Sequence, residues 1–482
     1  MASNTAAGDG QFHHQIGLGR ALFQSIAFMG PGASIVFSLG LVISNAGVAA
    51  PLAMAVCLVA ALCVASSVGQ LARYIPAAGG FFSYTSAALG RTAGFATGWL
   101  WVQFVFASTS FGAVLFGYEA NDFCKTYLSA NIPWWVFALA ALAFTAGATY
   151  RGIKFSTGVT MVLGATEVVI LLCVIVALII HSGSANTAST FNLGKAATFG
   201  AFALGIVFSI SLFIGFEGAT PLSEEIRSPR RNVPRAVIGS TLAIGLFYVL
   251  ATYAAVVGWG PGNLASYASA ADPWRDMTNQ LGGWVAFFVA LAILNSLFAF
   301  TQAVFNSGTR VLFAMGRARA LPEQLSSLHP KWETPHIAVA TVAALSALAT
   351  FGLGLWRGPF PALVMTVTFA AINFILIYIL GCASATSFFA RYRRSEFSTI
   401  WHVIVPLIGI AVLVVALYKS VYPVPAYPAS WGVWFAPVWI GLGAIALVWR
   451  RRRLANQEFA RAMQLANEEP ARADAALEPG RA

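Results

Sequence analysis

Apolar residues run through most of this chain in long stretches separated by short polar connections. An α-helix rises about 1.5 Å per residue, so about twenty apolar residues cross a hydrocarbon core about 30 Å thick. Twelve runs have that length, at 21–46, 49–72, 93–118, 132–149, 155–180, 199–223, 236–258, 283–309, 336–356, 361–389, 400–422 and 430–449. The pattern predicts an all-α polytopic membrane protein with twelve transmembrane helices, numbered here as spans 1 to 12. The connections are short and predict no inserted soluble domain, so any chemistry is expected within the bundle.

Composition narrows the class further. Of 482 residues 58% are hydrophobic and 9% charged, against roughly a quarter charged in a soluble domain, which excludes a water-soluble globule. Lys and Arg fall unevenly on alternate connections: twenty on the side of Arg20, Arg73, Arg227 and Arg310, five on the side of Lys125 and Lys195, and three in the C-terminal tail. By the positive-inside rule this predicts a cell-membrane protein with both termini cytoplasmic. The net charge of +11 then reports topology, and no nucleic-acid partner is expected. Residues 1–20 lack the features of a cleaved secretory signal, so span 1 is expected to be an uncleaved anchor. The tail 450–482, rich in Ala, Glu and Arg, reads as a cytoplasmic extension with Arg450 to Arg453 at lipid headgroups. Five cysteines read as small core residues, and tryptophans near span ends, Trp99 and Trp101 among them, as interfacial anchors.

Two spans are interrupted. Span 1 carries Gly30-Pro31-Gly32-Ala33-Ser34 near its midpoint, and span 6 carries Gly215-Phe216-Glu217-Gly218-Ala219-Thr220-Pro221. Proline removes an amide donor and glycine relaxes the backbone. In lipid, unwound backbone is tolerated only where protein buries it or where it lines a cavity. Glycine and proline also serve for packing and kinking. Two breaks five spans apart, in antiparallel halves, point instead to an inverted-repeat secondary transporter. The halves are expected at 21–180 and 199–389, with spans 11 and 12 at 400–449. Free N–H groups near Ala33 and Ser34 would hold a carboxylate, and free carbonyls near Ile214 and Gly215 an ammonium. An α-amino acid carries both groups; a simple amine would use only the second end.

Two acids lie well within spans, Glu167 in span 5 and Glu217 at the span 6 break, while Glu119, Glu224 and Glu225 are expected to reach water. A carboxyl at mid-membrane is protonated, paired or facing a wet cavity. Glu167 and Glu217 are therefore candidate proton carriers or counter-charges for a cationic solute; Glu167 serves equally as an interhelical hydrogen-bonding residue. Gln103, Asn295, Gln302, Asn306 and Asn373 read as hydrogen-bonding contacts between helices, and Ser307 with Thr309 could face a cation such as sodium beside span 1. Phe213 and Phe216 could cover a bound solute or pack the core. The six His lie at or outside span ends, and neither a metal cluster, a nucleophile with a nearby base nor a Walker motif is visible, so no enzyme, metal or cofactor is expected. A receptor or scaffold role would have to rest on the tail from Leu454.

The segment Phe213-Ile214-Gly215-Phe216-Glu217, followed by Glu224-Glu225-Ile226-Arg227-Ser228-Pro229-Arg230-Arg231-Asn232-Val233-Pro234-Arg235-Ala236, resembles the span 6 motif of the amino acid, polyamine and organocation superfamily. Ile75 to Tyr84 is similar to that family's loop between spans 2 and 3. Arg310 to Arg317, with Leu321-Pro322, His329-Pro330 and Thr334-Pro335, is similar to its loop after span 8. The resemblance implies a five-plus-five repeat with two extra helices and alternating-access uptake or exchange of amino acids or amines. It places the solute at Met29, Gly30, Pro31, Gly32, Ala33 and Ser34 and at Phe213, Ile214, Gly215, Phe216, Glu217 and Gly218. Many relatives have Gly-Ser-Gly-Ile where this chain has Gly-Pro-Gly-Ala. Some proton-coupled relatives carry a Lys near the position of Glu167, and a carboxyl cannot act as that fixed cation. The sequence is thus expected to specify a proton-coupled amino acid permease, with an amine or polyamine permease as the alternative.

Overall fold

Within lipid a chain must satisfy its backbone groups internally, and helix does so segment by segment. The computed structural model describes residues 12, 14–270 and 272–450, which leaves most of the polar start and the expected tail outside the described residues. Among the described residues there is no strand, and one isolated bridge joins Ile16 to Ile226.

Span 1 divides into α1 (Leu18–Met29), α2 (Pro31–Phe37) and α3 (Leu39–Ala46). Then follow α4 (Ala50–Tyr74), α5 (Phe81–Leu89), α6 (Arg91–Leu128), α7 (Trp134–Tyr150), α8 (Ile153–His181) and α9 (Phe199–Ser209). The remainder comprises α10 (Pro229–Trp259), α11 (Leu264–Ser269), α12 (Pro273–Asn279), α13 (Gly283–Arg317), α14 (His336–Arg357), α15 (Pro359–Tyr392), α16 (Val405–Val421) and α17 (Ala429–Arg450). Among the described residues nine helical stretches are long and apolar enough to cross a membrane; α7 has 17 residues, and predicted spans 1 and 6 are not continuous helices.

Several helices outrun their apolar patterns. α6 continues past the expected end at 118 and α13 past 309, because an apolar run marks only the part matched to hydrocarbon while the helix carries on into polar sequence. α10 begins at Pro229, where proline at the first helical position costs no hydrogen bond. α5, α11 and α12 lie inside connections that the sequence left without structure. α5 is buried except at its last residue, and Ala78 just before it donates to the Glu224 carboxylate at 3.0 Å.

Side-chain placement corrects further expectations. Trp101 is fully buried among Phe81, Phe104 and Phe374 rather than at an interface, and Trp99 stacks on Trp439 with each indole N–H donating to the other's backbone carbonyl. Cys57, Cys124 and Cys382 are buried, Cys63 is half-buried, and Cys173 is exposed on the apolar face of α8. Glu224 and Glu225 do not reach water freely. Glu225 holds Arg310 through two bonds of 2.9 and 3.0 Å, Glu224 holds Arg317 at 2.8 and 3.0 Å, and all four lie within the Arg-rich end of the bundle. Gln15 and Ile16 donate backbone N–H groups to Glu225 O, and Arg227 donates to Ile16 O at 2.8 Å, so the segment before α1 is stitched to the end of span 6.

Candidate functional site

The break in span 1 is a helix stop followed at once by a helix start. Gly30 adopts φ +53° and ψ 68°, a left-handed conformation that suits glycine, and its N–H caps α1 by donating to Ile26 O and Ala27 O. Pro31 then opens α2. Two side chains take up the Met29 carbonyl: the Ser34 hydroxyl donates to it at 2.7 Å and the Tyr248 phenol from α10 at 3.2 Å. On the far side of the break Ala33 N–H donates to Ser296 Oγ of α13 at 3.1 Å.

Span 6 unwinds over a longer stretch. α9 ends at Ser209, a 3-10 turn covers Ile210–Phe213, residues 214–219 form turns, and a second 3-10 stretch runs Thr220–Glu225. Gly215, at φ +116°, donates its N–H to the Tyr378 hydroxyl of α15 at 3.2 Å, and that hydroxyl donates to Glu217 Oε2 at 2.5 Å. Glu217 is fully buried, and Oε1 has no hydrogen-bond partner among the described residues. Ala219 N–H donates to Ser25 Oγ of α1 at 3.1 Å, and Ser307 Oγ of α13 donates to Gly218 O at 2.9 Å.

The two breaks are in direct contact. A Cβ built on Gly215 would stand 2.6 Å from the Phe28 carbonyl group, and one on Gly218 would stand 2.5 Å from the Phe28 ring. Beside this crossing lies a cleft whose wall includes Met29, Ala33 and Ser34 of span 1 and Ser211 and Ile214 of span 6. Aromatic rings close it: Phe37, Phe104, Phe111 and Phe300, with Val367, Ala370 and Ala371 of α15. No carboxyl is among the cleft's lining residues, and its polar groups are the hydroxyls of Ser34, Ser38, Ser108 and Ser211.

Of the residues expected at a binding site, Met29, Ala33, Ser34 and Ile214 thus line the cleft. Gly215 and Gly218 lie at the crossing against Phe28, Gly30 lies against Phe300 and Gly32 against Ser296 and Leu171, while Pro31 opens α2. Phe216 stacks on Tyr378 with centroids 4.9 Å apart and Phe213 meets Tyr248 edge-on at 5.6 Å, so both pack the core instead of covering the cleft. Glu167 is fully buried on α8, with neither carboxyl oxygen hydrogen-bonded among the described residues. Ser307 and Thr309, considered for a cation, are engaged by protein. Ser307 accepts from Gln24 Nε2 at 3.2 Å besides donating to Gly218 O, and Thr309 donates to Asn306 O and accepts from Arg310. Gln24, Asn306, Thr149 and Gln302 continue this network, the hydrogen-bonding role expected of Asn306 and Gln302. Sequence reasoning passed over Ser296, Tyr248 and Tyr378. A phenol in mid-span needs a polar partner, which is the signal that could have found the two tyrosines.

Comparison with known proteins agrees with this architecture. A family profile described as Amino acid permease matches residues 21–445. The chain belongs to that family. Among relatives of this family member, an uncharacterized transporter of Mycobacterium tuberculosis (strain ATCC 25618 / H37Rv) is 31% identical over 439 residues, covering 88% of this chain and 89% of the relative. The low-affinity putrescine importer PlaP of Escherichia coli (strain K12) is 29% identical over 313 residues, 62% of this chain and 66% of its own length. The branched-chain amino acid permease BcaP of Bacillus subtilis (strain 168) is 26% identical over 342 residues, 67% of this chain and 71% of its own. The family membership and the apolar helices make this family member a multi-pass membrane protein, and the names of its relatives are those of transporters, not enzymes.

Proposed function

We propose that the chain carries amino acids across the cell membrane by alternating access, with protons as the coupling ion. In this reading it forms a twelve-span bundle of two inverted five-span repeats, 21–180 and 199–389, with two further spans at 400–449. Both termini face the cytoplasm, which the uneven distribution of Lys and Arg supports. The cleft beside the two breaks is then the solute site, open toward the outer half of spans 1 and 6, and the Arg310–Glu225 and Arg317–Glu224 pairs close the cytoplasmic end. Glu167 and Glu217 are the proton carriers.

One observation carries the choice of solute: the cleft has hydroxyls and apolar walls but no acid. The side chain of an apolar amino acid leaves no polar group unpaired against such a wall, whereas the second ammonium of a diamine would be desolvated there without a counter-charge. Glu217, which could serve as that counter-charge, is not among the residues that line the cleft and accepts from Tyr378 through Oε2.

Counterflow in proteoliposomes tests the reading. Exchange of labelled leucine, competed by other apolar amino acids and not by putrescine, is the expected result. Competition by diamines with none by amino acids would overturn it in favour of an amine permease.

A further inference from the structure

His402 joins the start of span 11 to span 2. After α15 a short turn covers Arg394–Glu396, and span 11 opens with a π-helical turn, Ile400–Ile404, that leads into α16. The first N–H groups of a helix lack partners within it and take them from elsewhere. His402, buried in the π turn, grips Ser398 twice: its backbone N–H donates to Ser398 O at 2.8 Å, and its ring Nδ1 accepts the Ser398 N–H at 2.8 Å. On the other edge of the ring Nε2 meets Gln70 Oε1 of α4 at 2.5 Å, and Gln70 Nε2 donates to Ser66 Oγ at 3.3 Å. The Phe389 ring of α15 lies flat on the imidazole, with centroids 3.8 Å apart and planes 10° from parallel.

These bonds settle where the ring's hydrogen sits. With Nδ1 accepting, the neutral imidazole carries its hydrogen on Nε2 and donates it to Gln70. A second proton has one place to go, Nδ1, where it meets the Ser398 N–H donor against donor. Proton uptake and the Ser398 bond therefore exclude each other. The charged and titratable groups around the ring are engaged among themselves. Tyr74 of α4 donates to Glu396, Arg393 pairs with Glu396 at 3.8 Å, Arg394 Nε donates to Ala390 O at 3.0 Å, and Arg73 lies 5.8 Å from the Tyr74 ring centroid.

We propose that His402 is a proton-operated latch: its neutral ring fastens the start of span 11 to span 2, and proton uptake from the Arg-rich end releases it and slows transport. Histidine ordinarily titrates at about pH 6.5, so the latch is complete above that range and opens as pH falls through it. Span 2 carries the effect inward, because α4 packs along α10 and Tyr248 of α10 donates to Met29 O at the span 1 break. The slowing rests on the reading of the chain as a proton-coupled permease whose Arg-rich end is cytoplasmic; the latch itself does not. In that reading, uptake delivers protons to the side where His402 sits, and release of the latch restrains further uptake.

Hydrogen–deuterium exchange of the purified full chain, read on peptides covering 397–404 and corrected for the intrinsic pH dependence of exchange, follows the Ser398 amide directly. In wild type its protection is expected to fall about tenfold or more between about pH 8 and about pH 5.5. His402→Asn, whose side-chain oxygen accepts the Ser398 N–H without titrating, should hold protection within about twofold over the same range. Gln70→Glu sets a carboxylate beside the Nε2 hydrogen, favours the charged ring, and should move the loss to higher pH by about one unit. Protection equal at both ends of the range in wild type, the same loss in His402→Asn, or an unshifted loss in Gln70→Glu would each overturn the latch. Labelled-leucine counterflow in proteoliposomes reads the consequence. Relative to its own rate at about pH 8, wild type should fall at least about threefold further than His402→Asn at about pH 5.5. Superimposable profiles would overturn the control of transport. Absence of leucine counterflow in wild type at every pH would overturn the solute reading instead, and the exchange result would still decide the latch.

Discussion

Gly215 lies against the end of α1 so closely that a Cβ on it would stand 2.6 Å from the Phe28 carbonyl group and 2.8 Å from Met29 N. The two unwound stretches therefore support each other through backbone contact, at a position where φ is +116°. Alanine there meets both a forbidden conformation and a clash with main chain, which cannot rotate away. Gly215→Ala is expected to destabilise the protein by about 2 kcal/mol or more. A lowered melting temperature and poor recovery of monodisperse protein would show it; a wild-type melting curve would mean that the crossing is looser than described.

The Tyr378 hydroxyl joins two unwound parts of span 6, accepting from Gly215 N–H and donating to Glu217. Tyr378→Phe strips both of a partner, which in a buried position costs on the order of 1–3 kcal/mol. Counterflow should fall about tenfold with part of that loss in solute affinity. Glu217→Gln, which keeps the shape but changes the donor and acceptor pattern, should weaken transport strongly as well. Transport close to wild type in both variants would remove the Glu217–Tyr378 pair from the account.

Arg310 and Glu225 form a two-bond ion pair with side-chain exposures of 0% and 4%. Removing one partner leaves a buried charge uncompensated, an effect of about 3–5 kcal/mol, whereas removing both costs less. Arg310→Ala should lower the melting temperature more than the double variant Arg310→Ala, Glu225→Ala. Additive losses would show that the two side chains do not depend on each other.

The cleft itself gives a steric prediction. Ala371 of α15 is a half-buried wall residue with no hydrogen bond to lose. Ala371→Leu should reduce leucine counterflow at least about fivefold while leaving the melting temperature within a few degrees of wild type. Equal counterflow of leucine and alanine in that variant would place the solute elsewhere.

Much of this architecture is legible in the chain because lipid removes alternatives. Long apolar runs must be helical, and Gly30-Pro31 and Gly215 to Pro221 stand out because they interrupt two spans five apart near their middles. The ends of α6 and α13 were not legible, since nothing about hydrophobicity marks where a helix stops once it leaves hydrocarbon. Nor was α5, whose burial comes from packing against α6 and α15. The partners of the breaks were hidden for a different reason: Ser296, Tyr248 and Tyr378 lie far along the chain from the atoms they bind, and a serine or tyrosine inside an apolar run carries no local sign of its distant partner. Phe213 and Phe216 were ambiguous in sequence for the same reason, and the rings of Tyr248 and Tyr378 decide their packing.

The central claim is that the cleft beside the paired breaks is where the solute sits. Ser34, on its wall, can be replaced by cysteine in a background whose five native cysteines are replaced by alanine, and its reaction with a membrane-impermeant thiol reagent followed in cells. Labelling from outside, slowed about fivefold or more by saturating leucine and not by putrescine, is the result predicted from occupancy of the cleft. A labelling rate that leucine and putrescine both leave unchanged would contradict it.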